Sequence, residues 1–216
     1  MRKITINGGC GKIDALYSRQ DDSNAPIALV LPPHPQIGGT MNNRVTRTAH
    51  YALEDSGFSV MRFDYRKNFS DGIGEVDDAM DALDHLVAMH GMGAQCIVAG
   101  YEFGAWIGMQ VMMRRPEVSG FISIAPPVDI YDFDFLSPCL TSGMVINGDS
   151  DRVTSPDAIC RFVERLGKND SVRISHERIM GADHFFSNDG ALCELNASIA
   201  KYARQTMIVE HTMVRQ

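Results

Sequence analysis

Apolar residues recur along the chain in short runs, and longer stretches with a different period separate them. Near-continuous apolar runs of four to eight residues occur at 27–31, 58–63, 96–99, 121–125, 144–147 and 172–179. Such runs are typical of strands that are buried on both faces of a sheet. Before them, residues 3–6 and 11–19 flank Gly8 and Gly9, which predicts a β-hairpin within residues 1–20.

The stretches between the apolar runs have apolar residues at helical spacing. They cover about 41–56, 73–90, 104–115, 155–167 and 189–206. Strands that alternate with helices predict an α/β fold, with a mostly parallel sheet of about eight strands and helices on both faces. No repeat, linker or cap-sized insertion interrupts the pattern. We therefore expect a single domain over 1–216, with residues 207–216 as a helix end or a loose tail.

Composition and charge narrow the classes of partner. The 216 residues carry a formal net charge of −7, and an acidic chain is not attracted to nucleic acid or to an anionic membrane. No apolar run approaches the roughly 20 residues that span a bilayer, and we expect no signal peptide. The five cysteines are unclustered, and we interpret them as reduced, buried thiols of a cytoplasmic protein. Neither Cys-x-x-Cys nor His-Glu-x-x-His occurs, so we predict no metal and no cofactor.

Three loops that follow predicted strands carry side chains suited to catalysis. Residues 100–104 read Gly-Tyr-Glu-Phe-Gly, which resembles the Gly-x-Ser-x-Gly turn that lifts a nucleophile above a parallel sheet. Glu102 occupies the position of the serine. Asp149 and Asp151 follow the run at 144–147, and His184 follows the run at 172–179. Because the carboxyl ends of parallel strands meet at one edge of the sheet, we expect these three loops to converge.

Several longer motifs resemble one group of enzymes. They are "HPQIGGTMNN", "RFDYR", "GYEFGAWIGMQ", "INGDSDRV" and "GADHFF", and with their flanks they extend over roughly 25–206. The chain resembles the small, lidless, dienelactone-hydrolase-like bacterial α/β hydrolases. This resemblance implies an α/β-hydrolase fold without a cap domain, and hydrolysis of a small ester, thioester or lactone. It places the catalytic triad at position 102, Asp151 and His184, with Asp149 as a second choice for the acid.

The chain departs from this group at two points near the expected site. Glu102 replaces the family's serine, and only Lys67 and Asn68 stand where relatives carry a Gly/Ser-rich loop. The predicted oxyanion donors are the N–H of Phe103 and one N–H from the turn between His34 and Gln36. Tyr101 is expected to line the same pocket.

The glutamate at the elbow allows three interpretations. It is a nucleophile that needs no base of its own, with His184 activating the water that later releases the product. Alternatively, its charge blocks the oxyanion site, and the protein is an inactive α/β-hydrolase-like binding protein with Glu102 paired to His184. The third interpretation is an engineered replacement of a serine. In each case we predict weak activity on ordinary serine-esterase substrates, a small-molecule ligand, and self-association into a homo-oligomer as an open alternative.

Overall fold

The computed structural model describes residues 1–67, 69–91 and 93–213, with side chains as far as Met207. Within these residues the strands form one eight-stranded sheet in the order β1-β2-β4-β3-β5-β6-β7-β8. The strands are β1 Arg2–Gly8, β2 Gly11–Ser18, β3 Ile27–Leu31, β4 Ser59–Phe63, β5 Cys96–Tyr101, β6 Val118–Ile124, β7 Gly143–Gly148 and β8 Ile174–Ile179.

Strands β3 to β8 are all parallel to one another in this sheet. The hairpin of β1 and β2 extends it at one side, and β2 pairs antiparallel with β4. Every residue of β3 and β4 is buried, which is why these strands have continuous apolar runs rather than alternation. The predicted mostly parallel sheet of eight strands is confirmed.

Five helices connect or follow the parallel strands in the described part of the chain. They are α1 Arg44–Glu54, α2 Ile73–His90, α3 Phe103–Arg114, α4 Pro156–Leu166 and α5 Asp189–Met213. Helices α1 and α5 share one buried cluster with one face of the sheet, whereas α2, α3 and α4 share a second cluster with the other face. The sheet is therefore covered on both sides, and the described residues form no cap domain.

Helices α1 and α4 begin where a side chain accepts a hydrogen bond from one of their first N–H groups. The side chain of Asn43 accepts from the N–H of Val45 at the start of α1, and the hydroxyl of Ser155 accepts from Ala158 at the start of α4. These caps set the starts of the two helices at Arg44 and Pro156, later than the predicted starts at 41 and 155.

The last helix is longer than the pattern predicts. It continues to Met213, so residues 207–213 are the end of a helix, the first of the two alternatives that the sequence allowed, and not a loose tail. Residues 214–216 lie outside the described residues, as does Asn68 of the shortened loop.

The cysteines are less buried than expected. All five are free, but only Cys96 and Cys139 are buried, while Cys160 is half-buried and Cys10 and Cys193 are exposed. The prediction of uniformly buried thiols is therefore wrong, because Cys10 lies in the hairpin turn and Cys193 on the outer side of α5. No helix among the described residues combines the length and the hydropathy that crossing a membrane requires.

Candidate active site

The sharp turn at Glu102 connects β5 to α3. Glu102 has φ 52° and ψ −119°, a conformation that side chains with a Cβ rarely adopt, and α3 begins at the next residue. Its two flanking glycines permit the close packing of this turn. A Cβ on Gly100 would lie 2.1 Å from the carbonyl oxygen of Gly104, and one on Gly104 would lie 2.5 Å from that of Pro32. The Gly-x-x-x-Gly spacing is thus a steric requirement of the strand–turn–helix geometry.

The Glu102 side chain turns toward the loop that follows β3. It is 9% exposed, and its Oε2 accepts a hydrogen bond from the backbone N–H of His34 at 2.9 Å. Because Glu102 immediately precedes α3, its carboxylate also lies near the positive end of that helix dipole. Among the described residues, no hydrogen bond reaches Oε1, and no hydrogen bond or ion pair joins Glu102 to His184.

Asp151 and His184 form a buried pair at the carboxyl ends of β7 and β8. The Nδ1–H of His184 donates to Oδ2 of Asp151 at 2.8 Å. Oδ1 of Asp151 accepts from the backbone N–H groups of Val153 at 2.8 Å and Thr154 at 2.9 Å. Both oxygens are therefore engaged, and the imidazole is held with Nε2 free to accept a proton.

The charge of Asp151 is stabilised by these contacts. Burial alone would raise the pKa of Asp151, but the hydrogen bonds from His184, Thr154 and Val153 hold its pKa below the usual value. An ionised Asp151 fixes the tautomer of His184 and stabilises the imidazolium that forms when His184 takes a proton.

Asp149, the second choice for the acid, has a different role in the structure. Its Oδ1 accepts from the N–H of Gly181 at 2.6 Å and from the hydroxyl of Ser150 at 3.1 Å. These bonds tie the loop after β7 to the loop after β8. The partner of His184 is Asp151.

Tyr101 connects the elbow to the histidine loop. It is buried, and its hydroxyl donates to the backbone carbonyl of His184 at 3.2 Å, with the two rings 6.2 Å apart. Burial raises the pKa of Tyr101, and the charges of Glu102, Asp151 and Asp183 raise it further. The Tyr101 hydroxyl therefore stays protonated and positions the loop that carries His184.

The residues predicted for the oxyanion site are only partly brought together. The N–H of His34 points at Glu102, and Phe103 opens α3, so its N–H is among those that a helix leaves without an intrahelical acceptor. Gln36 is exposed, and its N–H donates to Nδ1 of the His34 ring at 3.2 Å instead of to the site. Gln36 thus shapes the turn, and His34 supplies the donor.

An aromatic cluster beside the elbow joins Phe103 and His34, which were predicted for the pocket, to further rings that were not placed in the site. The ring of Phe103 contacts the rings of His34, Tyr65, Trp106 and Tyr131 at centroid distances of 4.8 to 5.8 Å. Burial raises the pKa of Tyr131, and the nearby charges of Glu102 and Asp71 add to the shift. The position of Trp106, one helical turn after Glu102, was the available signal in the sequence.

The described residues contain no group of three or more His, Cys, Asp or Glu side chains arranged to hold a metal ion.

No protein-family model matches the chain. A search of solved structures does find close relatives. A protein of unknown function from Agrobacterium tumefaciens, described as a candidate α/β hydrolase, superposes with a TM-score of 0.91 at 41% identity, covering 97% of this chain and 98% of that one. The chain belongs to the α/β-hydrolase family.

Other relatives agree with this assignment. An α/β serine hydrolase homologue from Coxiella burnetii is 30% identical with a TM-score of 0.82, covering 93% of this chain and 96% of that one. A serine hydrolase without a lid from Xanthomonas campestris is 27% identical with a TM-score of 0.83, covering 94% of each chain. In sequence alone, an uncharacterised protein from Rickettsia prowazekii is 43% identical over 196 residues, which is 86% of this chain and 82% of that protein. The resemblance to lidless α/β hydrolases is thereby confirmed, and with it a hydrolase-family function.

Proposed function

We propose that this α/β-hydrolase-family protein hydrolyses a small electrophilic substrate, with Glu102 as the covalent nucleophile and His184 as the base. Asp151 orients His184. The observation that carries the proposal is the single bond from the His34 N–H to Oε2 at 2.9 Å, which fixes the carboxylate while Oε1 has no hydrogen-bond partner among the described residues. A carboxylate held by one oxygen presents the other to a bound substrate.

The reaction would proceed in two steps. Oε1 attacks an electrophilic carbon, the bond from that carbon to its leaving group breaks with both electrons, and an ester of Glu102 forms. His184 then takes a proton from water, and the resulting hydroxide attacks Cδ of Glu102. Negative charge develops on Oε2, where the His34 N–H can stabilise it. Collapse breaks the bond from Cδ to the alkoxide oxygen, and the alkoxide takes the proton from His184 and leaves as the product alcohol. Glu102 is left as a carboxylic acid, which releases its proton to solvent and so restores the carboxylate.

This scheme favours attack at an alkyl carbon, as in an alkyl halide, an epoxide or a strained lactone. Ordinary small esters and thioesters react at an acyl carbon, and their oxyanion needs the same His34 N–H that Oε2 now occupies. We therefore propose weak activity on esters, thioesters and unstrained lactones, the substrates of dienelactone-hydrolase-like relatives. The proposed location is the cytoplasm, and the proposed partner is a small molecule.

Oxygen labelling under single-turnover conditions tests the nucleophile. An excess of enzyme is mixed with one substrate at a time from a panel of esters, lactones, halides and epoxides, in water enriched in ¹⁸O. The mass of the peptide that contains Glu102 is then measured by mass spectrometry. We expect ¹⁸O in the Glu102 carboxylate and unlabelled oxygen in the first product. Turnover with label only in the product would refute the covalent role. Glu102→Gln, which keeps the size of the side chain but removes the nucleophile, is the matched control.

A second candidate function is that of a binding protein without catalysis. It is favoured by the same His34–Glu102 bond, because a carboxylate oxygen on an oxyanion donor resembles the charge of a tetrahedral intermediate and excludes it. No turnover of any member of the panel, with saturable binding of one of them, would favour this alternative.

A further inference from the structure

Strand β8 lies at one edge of the sheet, at the side opposite the hairpin of β1 and β2. Its pairing with β7 is regular over Ile174–Ile179, without a bulge, and the strand contains no proline. Bulges and prolines are among the usual means by which proteins prevent an edge strand from pairing with another chain. Among the described residues no strand pairs with the outer side of β8, so that side is open to a further strand.

The backbone groups of β8 point alternately toward β7 and away from the sheet. The carbonyl oxygens of Arg173 and Ile179 accept from N–H groups of β7 and of the residue after it, at 3.0 and 3.1 Å. Both backbone groups of a strand residue point to the same side, and successive residues alternate, so the odd-numbered positions from 173 to 179 bond to β7. The residues whose N–H and C=O point outward are therefore Ile174, His176 and Arg178.

Charged side chains of both signs lie along one face of this edge. Arg173, Ser175 and Glu177 share a face with Ile179, which packs in the cluster that contains α5. Glu177 is 3.6 Å from the ammonium of Lys201 on that helix, but both side chains are exposed, and such a pair contributes little. The Arg173 side chain is exposed and has no hydrogen bond or ion pair among the described residues.

These charges restrict how β8 can pair with a second copy of itself. In a closed dimer, a twofold axis perpendicular to the sheet makes the two strands antiparallel, and residues directly opposite each other share a face. With Ser175 on the axis, Arg173 of each copy lies opposite Glu177 of the other, which gives two ion pairs. With Glu177 or Arg178 on the axis like charges meet, and with His176 there no ion pair forms. Charges on an edge strand usually prevent pairing, whereas these favour a single register.

The same register also satisfies backbone groups that point outward. It places Ile174 of one copy opposite His176 of the other, and because both residues direct N–H and C=O outward, they form a hydrogen-bonded pair. Arg173 and Glu177 then form a non-hydrogen-bonded pair, in which the Cα atoms are about 4.5 Å apart and the side chains are closest. The directions of the backbone groups and the positions of the charges therefore agree.

We propose that the outer edge of β8 is an interface between two copies of this chain, which joins their sheets through antiparallel β8 strands with Ser175 on the twofold axis. The ion pairs between Arg173 and Glu177 set the register. Because the two strands run in opposite directions, the carboxyl ends that carry Glu102 and His184 open at opposite ends of the joined sheet. The interface thus leaves both candidate sites accessible, and it does not depend on turnover at either of them.

Sedimentation equilibrium of the full chain over a range of concentrations measures this association. We expect a reversible equilibrium between monomer and dimer, because a twofold axis closes the assembly. Arg173→Glu brings two carboxylates together at each ion pair and should weaken the dimer by about tenfold. The double variant Arg173→Glu/Glu177→Arg exchanges the charges and should restore association. Lys12→Glu, at an exposed position of the hairpin on the other side of the sheet, makes the same change in net charge as Arg173→Glu and is the matched control.

Disulfide formation locates the twofold axis. In Ser175→Cys the thiol faces its own copy across a non-hydrogen-bonded pair, at a Cα separation of about 4.5 Å that a disulfide can span. We therefore expect oxidation to a covalent dimer, measured on a non-reducing gel. Ser171→Cys, at an exposed serine four residues earlier, lies away from the axis and should form no more covalent dimer than the parent does.

A chain that stays monomeric at its highest soluble concentration would overturn the proposal. A dimer that Arg173→Glu leaves intact would also overturn it, since another surface would then hold the two copies together. The register would be wrong if the double variant associated no better than Arg173→Glu, or if Ser171→Cys formed a covalent dimer as readily as Ser175→Cys. Circular dichroism of each variant verifies that the fold is retained.

Discussion

The two halves of the candidate site differ in how the hydrogen bonds of their side chains are satisfied. In the half formed by the loops after β7 and β8, each oxygen of Asp151 has partners and His184 is oriented by a 2.8 Å bond. In the half formed by the loops after β3 and β5, the turn has the strained geometry of a nucleophile elbow, yet its carboxylate bonds to the N–H of His34. In the first half, Asp151 and His184 already have their hydrogen-bond partners without a substrate. In the second half, the Glu102 carboxylate is itself the anion that accepts from the His34 N–H.

This difference shows that the orientation of His184 and the group held at the His34 N–H are determined by separate parts of the site. A histidine with a satisfied aspartate is ready to accept a proton from any acid placed before it, whether that acid is serine or water. In the proposed mechanism the elbow determines which of these is used, because the Glu102 carboxylate has no proton to give to His184 and accepts from the His34 N–H in the place of an oxyanion. On this proposal the Asp151–His184 pair acts as it would in a serine hydrolase, and the residue at position 102 decides the chemistry.

Removing the base should have the largest effect. For His184→Gln we expect turnover to fall by about 10⁴-fold, because water is no longer activated. Attack by Glu102 does not need His184, so the ester should accumulate and appear as a stoichiometric mass increase on the peptide containing Glu102. The matched control is His85→Gln on α2, a histidine outside the site. Loss of turnover without accumulation would mean that His184 acts in the first step.

Neutralising the orienting acid should have the second largest effect. Asp151→Asn preserves the shape of the side chain but presents His184 with the wrong tautomer, and we expect kcat to fall by about 10³-fold. Asp149→Asn is the matched control, since Asp149 bonds to Gly181 and not to His184, and it should change kcat less than threefold. Equal losses in both variants would show that the loop as a whole, rather than the charge of Asp151, supports catalysis.

The sequence predicts the acid–base half better than the elbow half, for physical reasons. Strand periodicity predicts which loops meet at the carboxyl edge, so the approach of the loops after β7 and β8 follows from topology, whereas the choice of Asp151 over Asp149 came from the family resemblance. The direction of the Glu102 carboxylate does not follow, because three rotatable bonds and several nearby N–H groups compete for it. An approach of Glu102 to His184 was one interpretation of the sequence, and the described residues contain no such contact.

The secondary structure also contains parts that the sequence predicts well and parts that it predicts poorly. The strand at 27–31 and the helix at 73–90 were predicted to the residue, because continuous burial and a long amphipathic period leave little ambiguity. The start of a helix depends on a single capping bond such as that of Asn43, which the apolar period does not determine.

Replacing Glu102 by serine tests whether the elbow can work with the oriented His184 as it would in a serine hydrolase. In Glu102→Ser the His34 N–H is freed for an oxyanion, and the serine faces a histidine that is already oriented. We expect hydrolysis of short acyl esters to rise by about 10²-fold over the parent. Glu102→Ala frees the same donor without supplying a nucleophile and is the control. A serine variant no faster than the alanine variant would place the defect elsewhere in the site.

The smallest effect is expected at Tyr101, which joins the two halves. Tyr101→Phe removes the bond to the His184 carbonyl, and one such bond corresponds to a threefold to tenfold fall in kcat with little change in KM.

The same variant should also change how the free energy of unfolding depends on pH. The pKa of Tyr101 is raised in the folded state by burial and by Glu102, so the unfolded chain loses this proton first, near pH 10. Tyr101 therefore contributes stability that is present below pH 10 and is lost as pH rises above it. Urea unfolding from pH 8 to 11 should show a shallower alkaline decline for Tyr101→Phe than for the parent, and identical slopes would mean that the hydroxyl is not held between the two halves as described.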